Sequence, residues 1–124
     1  MKTELKKVRG LGAAHDGTEH FFMQRLTAIA NVPLVIYLIY FVVSHLSANR
    51  AAVVASIKNP FAAIALCLAL ISICWHMKLG LQMVIEDYVH GHGTKLAALL
   101  INTFFAFGLC ALGVFVILKM SFGV

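Results

Sequence analysis

Charge is scarce in this sequence. Only 12% of its 124 residues are Asp, Glu, Lys or Arg, and five are acidic, whereas 61% are hydrophobic. A soluble domain carries about twice that share of charge, so a water-soluble enzyme or binding module is excluded. Cysteine is sparse as well: Cys67, Cys74 and Cys110 stand apart, with no CxxC pair or Cys/His spacing that would hold zinc or an iron–sulfur cluster. Each is expected to be a small apolar packing residue. No GxGxxG run offers a flavin or nucleotide its phosphate-binding turn, and no repeat or low-complexity tract interrupts the chain. Residues 1–17 are basic but lack the apolar core and small-residue cleavage site of a signal peptide. They also lack the Arg- and Ser-rich character of a transit peptide, so they are expected to be neither.

What the chain has instead is apolar length. Residues 26–46 and 96–118 contain no charged side chain, and residues 61–85 are interrupted only by His76 and Lys78. At 1.5 Å per helical residue, each stretch crosses a ~30 Å hydrocarbon core with some tilt. The expected fold is an all-α membrane protein, one anchor domain over residues 1–124 with three transmembrane helices. Residues 15–25 form a membrane-surface lead-in, with Phe21 and Phe22 at headgroup level. Pro33 is expected to bend the first span, and Asn59 and Pro60 mark the start of the second. Three short-looped helices leave no room for a soluble catalytic domain and little interior, so partner chains are expected alongside membrane lipid.

The net charge of +5 sits mostly at span ends, where it sets orientation rather than signalling a nucleic-acid partner. Lys2, Lys6, Lys7, Arg9, Arg25 and Lys95 lie on one side, against Arg50, Lys58 and Lys119 opposite. The positive-inside rule then makes the N-terminus cytoplasmic and the C-terminus external.

An ionisable residue inside a membrane span is expensive to keep and marks a candidate site. Here it is His76. With 100° per residue, His76, Gly80, Met83 and Asp87 share one stripe, each within about 40° of His76. Gly80 removes a side chain one turn beyond the imidazole, leaving space for a flat group such as a haem, for which neutral imidazole is a usual axial ligand. A hydrogen bond from His76 to another helix, with Gly80 permitting close helix approach, fits the same residues. The other intramembrane histidine, His45, lies at the opposite end of the first span, so a second axial ligand would come from another subunit.

Asp87 and Tyr88 follow about 17 Å further along the helix, at the cytoplasmic interface. A phenol can donate to a quinone carbonyl while a neighbouring carboxylate relays protons; an aromatic-belt tyrosine beside a capping aspartate is the plainer reading. His20, His90 and His92 are read as solvated, and Lys78, about 200° from His76, as snorkelling toward the cytoplasmic headgroups.

Arg25, Leu26, Thr27, Ala28 and Ile29 at the start of the first span, with His76, Gly80, Gln82, Asp87, Tyr88 and Val89 on the second, resemble the hydrophobic membrane anchor subunit of bacterial succinate dehydrogenase over nearly the whole chain. The resemblance implies that His76 is an axial ligand to haem b, with the other ligand carried by a companion cytochrome b-type membrane subunit. It further implies that Tyr88 hydrogen-bonds ubiquinone, that Asp87 adjoins the same site, and that Arg25 lies near the haem propionates or quinone. In that family succinate is oxidised on a flavoprotein subunit and electrons pass through an iron–sulfur subunit to quinone, so this chain would carry no succinate-oxidising site. The location implied is the bacterial inner (plasma) membrane. The anchor of a quinol:fumarate reductase is a variant of this reading. A small transporter or channel subunit, with His76 and Lys78 lining a polar path, and a purely structural assembly protein are alternatives from other classes.

Overall fold

A computed structural model describes the backbone of residues 13–123 and the side chains of residues 18–123. The basic cluster Lys2, Lys6, Lys7 and Arg9 lies outside the described residues. The described chain is all helical: α1 (Ala13–Ser44), α2 (Arg50–Ile57), α3 (Pro60–Tyr88) and α4 (His92–Phe122). Within these, Thr18–Ser44, Pro60–Tyr88 and His92–Phe122 are long and apolar enough to cross a membrane.

Local chemistry explains where each helix starts and stops. Helix α1 runs unbroken through an exposed Pro33, so residues 15–25 and the span that follows form one continuous rod. It ends where Ser44 Oγ donates to Phe41 O (2.9 Å) and His45 Nδ1 lies 2.7 Å from the same carbonyl. The Asn49 side chain then accepts from Ala52 N and caps α2, a short helix within the connection between the first two spans. Asn59 accepts from Phe61 N ahead of Pro60 at the first turn of α3. Helix α4 closes on Gly123, whose φ of 72° is the left-handed conformation that glycine adopts without a Cβ penalty.

His45 ties these pieces together. Its Nδ1 faces a carbonyl and must donate, so Nε2 is the acceptor for Ser56 Oγ on α2 at 2.7 Å, while the ring stacks on Phe41 at 4.3 Å. Both ring nitrogens are therefore committed. Replacing His45 by alanine is expected to speed amide hydrogen exchange in α2 about tenfold, the worth of roughly one hydrogen bond, while leaving exchange in α3 unchanged.

The three long helices stand in a row with α3 in the middle. No Cα of α1 comes within 8 Å of one of α4, whereas both pack on α3. The contacts use small side chains, Ala63, Ala69 and Cys74 on α3 and Ala106 on α4, all buried, because in lipid close backbone approach replaces hydrophobic exclusion as the driving force. At Gly113 on α4 the backbone meets Leu70 so closely that a Cβ would collide with a leucine methyl. All three cysteines are free, Cys74 buried and the others half-buried, as packing residues should be.

Candidate functional site

Helix α1 presents a line of polar residues at helical spacing, His20, Gln24, Thr27 and Asn31, to the His76 stripe of α3. The antiparallel pairing is regular. Asn31 Oδ1 accepts from Ser72 Oγ at 2.6 Å, and Thr27 Oγ1 lies 2.9 Å from His76 Nδ1. The Gln24 amide lies 3.6 Å from where a Gly80 Cβ would sit. A methyl there would make ordinary van der Waals contact with Gln24, so no described side chain requires a glycine at this position.

Beyond Gly80 the two helices part around an open groove of about 730 Å³. It is lined by His20, Phe21 and Gln24 from α1 and by Gln82, Met83, Glu86 and Asp87 from α3. His20 Nε2 and Gln24 Oε1 are buried and have no hydrogen-bond partner among the described residues. A buried polar atom left in this state costs about 1–3 kcal/mol, so such pairs mark a place where a further group belongs. His20 is thus half-buried against the groove rather than solvated. On the rim, Gln82 Nε2 donates to Glu86 Oε1 (3.1 Å), and Lys95 Nζ donates to the Glu86 carbonyl (3.2 Å), closing the turn between α3 and α4.

The residues singled out from sequence divide into two sets. His76 and Asp87 face α1. Arg25 and Tyr88 do not line the groove: Arg25 is exposed, its guanidinium 5.0 Å from the ring of the groove residue Phe21, and Tyr88 is 75% exposed at the end of α3. His76 has Nδ1 engaged by Thr27, while Nε2 has no hydrogen-bond partner among the described residues. No cluster of three or more His, Cys, Asp or Glu side chains exists among the described residues. A metal centre on the described residues would need further ligands from beyond them.

The other face of α3 is chemically different. The Lys78 ammonium lies 5.1 Å from the ring of Trp75, one turn toward the start of α3, beside an apolar cavity of about 220 Å³ between α3 and α4. Asn102, 6% exposed, donates from Nδ2 to the Lys78 carbonyl at 3.0 Å. His76 and Lys78 thus face different neighbours and share no lumen, contrary to the transporter reading.

Comparison with known proteins decides between the remaining classes. The family described as succinate dehydrogenase/fumarate reductase transmembrane subunit matches residues 1–117. The chain belongs to this family. It is 29% identical to the succinate dehydrogenase hydrophobic membrane anchor subunit of Paracoccus denitrificans, across 98% of this chain and 93% of that protein. It is 34% identical to the protein so described from Rickettsia bellii (strain RML369-C), over 72% of this chain and 71% of that one. The succinate dehydrogenase membrane anchor subunit of Reclinomonas americana is 28% identical over 67% of this chain. No solved structure matches. The chain is therefore a multi-pass membrane anchor subunit of succinate dehydrogenase, working with other subunits of complex II. Among its own residues, Gln24 and Asn31 are the members of the polar line that sequence reasoning passed over.

Proposed function

We propose that the anchor contributes one axial ligand, His76, to a haem b shared with a companion cytochrome b-type subunit, and one wall of the site where ubiquinone is reduced. The observation that carries this reading is the contrast between the two intramembrane histidines. His45 has both ring nitrogens hydrogen-bonded, whereas His76 keeps Nε2 without a protein partner. The residues present fit half of a bis-imidazole site, and the second imidazole belongs to the companion chain. When bound, haem b supplies a one-electron carrier within the bilayer.

The chain's own groups would do the rest. Asp87, on the groove rim, holds a carboxylate where protons can arrive from water, and the exposed Tyr88 hydroxyl donates to a quinone carbonyl once a neighbouring chain covers it. The Arg25 guanidinium, lying against Phe21, can pair with a propionate or polarise the quinone. His20 Nε2 and Gln24 Oε1 provide further polar contacts at the groove. Succinate oxidation falls to the flavoprotein subunit and electron delivery to the iron–sulfur subunit. With the N-terminus cytoplasmic, the groove opens toward these soluble subunits at the bacterial inner membrane.

The direct test is a dithionite-reduced minus oxidised absorbance spectrum of the purified complex. b-type bands are expected, and their absence would sink the haem assignment. Tyr88→Phe tests the quinone half: loss of one hydrogen bond should lower quinone reduction about tenfold, while succinate oxidation by an artificial acceptor persists. Equal loss of both activities would instead mean failed assembly.

A further inference from the structure

We propose that Thr27 is the positioning residue for His76, its hydroxyl accepting the Nδ1 proton and thereby holding the imidazole in the tautomer whose Nε2 is free to bind iron. The inference rests on the haem reading above and adds a residue from a different helix to it.

The Thr27 hydroxyl has three neighbours and one proton to share among them. Thr27 Oγ1 lies 2.9 Å from Met23 O, 3.1 Å from Gln24 O and 2.9 Å from His76 Nδ1. A hydroxyl has a single proton and two lone pairs. Were that proton given to His76, the oxygen would turn lone pairs on two carbonyl oxygens at close range, an arrangement that is repulsive and leaves Thr27 without compensation. Donation to the carbonyls of its own helix, the usual habit of a threonine within a helix, removes the repulsion. Oγ1 is then an acceptor only, and the proton between Thr27 and His76 must sit on Nδ1.

Burial makes the assignment binding. Thr27 is 8% exposed, one of two buried polar residues among those described, so water cannot offer a substitute partner. A neutral imidazole carries one N–H; with it on Nδ1, Nε2 bears the lone pair. The line Met23 carbonyl, Thr27 hydroxyl, His76 imidazole also polarises in one direction, each bond strengthening the next. A histidine that donates its distal N–H in this way is a stronger ligand, and such outer partners commonly account for ten- to hundredfold in metal affinity. Added basicity favours ferric over ferrous iron.

The experiment uses the intact complex carrying Thr27→Val, which keeps the shape and removes the oxygen, and Thr27→Ser, which restores it. Haem content, the haem midpoint potential and the low-spin ferric EPR g values are measured, with subunit stoichiometry as the assembly control. Thr27→Val should bind haem about ten- to hundredfold more weakly. Its haem should show an altered EPR spectrum and a higher midpoint potential; a tenfold loss of ferric preference reads as about 59 mV for one electron. Thr27→Ser should match the parent protein. Complete haem loss in the valine variant, with the serine variant normal, supports the inference equally. Parent-like potential and g values in Thr27→Val would overturn it, leaving Thr27 as a clamp between helices. The same haem defect in both variants would also overturn it. b-type bands that survive His76→Ala overturn the ligand reading itself, and this inference with it.

Discussion

Replacing His76 by alanine is expected to abolish the b-type bands of the purified complex. The reason lies in what the chain has left to offer. Losing one of two axial bonds removes the anchor's only proposed bond to the iron, and among the described residues no nearby imidazole can take its place. His45 is engaged through both nitrogens by Phe41 and Ser56. His20 has a free Nε2 but lies two turns toward the N-terminus of α1 from Thr27, His76's partner, at the groove. Haem is quantified as pyridine haemochrome beside the reduced-minus-oxidised spectrum, with subunit stoichiometry showing that the complex survives. Stoichiometric haem in His76→Ala would remove this residue from the site.

The second large effect is expected at Gly113, where α4 packs against Leu70 of α3. Valine there crowds α3: its Cβ would collide with a Leu70 methyl, and the Leu70 side chain must turn aside to accommodate it. Overpacking of this kind costs about 1–3 kcal/mol, sometimes more. Because the described α4 packs on α3 and α2 but not on α1, the loss weakens the attachment of the whole helix. Thermal denaturation of the complex should show a lower midpoint for Gly113→Val, recovered in part by adding Leu70→Ala, which vacates the space. If the double variant is no better than the product of the two single effects, the contact with Leu70 is not the cause.

These two sites differ in how visible they were in the sequence. The spans were legible because hydropathy sums over some twenty residues and tolerates local error. The His76, Gly80, Met83 and Asp87 stripe was legible because helical periodicity fixes which residues share a face, and the structure turns that face toward α1. Its counterpart on α1 was harder to see. His20, Gln24, Thr27 and Asn31 each look ordinary alone, and only their shared spacing within an apolar helix marks them as a line facing something polar. Helix α2 was hidden for another reason: eight residues carry too little periodicity to stand out. Lys78 failed through direction. Side chains on a helix lean toward its N-terminus, which carries the ammonium over Trp75 rather than toward the far end of α3. That Arg25 and Tyr88 point outward depends on chains outside this one, which no pattern within it encodes.

The row of helices exposes long apolar flanks, with Ile29, Ile36 and Tyr40 on α1 and Phe104, Phe115 and Phe122 on α4 all more than half accessible. In a bilayer such surface is nearly blind, since a lipid tail and a foreign leucine satisfy it about equally. Selectivity for the right neighbour must then be written in the few atoms that lipid cannot satisfy. Among the described residues those are the polar groups left accessible, such as Asp87 and Tyr88 at the end of α3 and His76 Nε2 within it. The anchor is thus greasy over most of its area and discriminating at a handful of points, and a neighbour recognises it by those points.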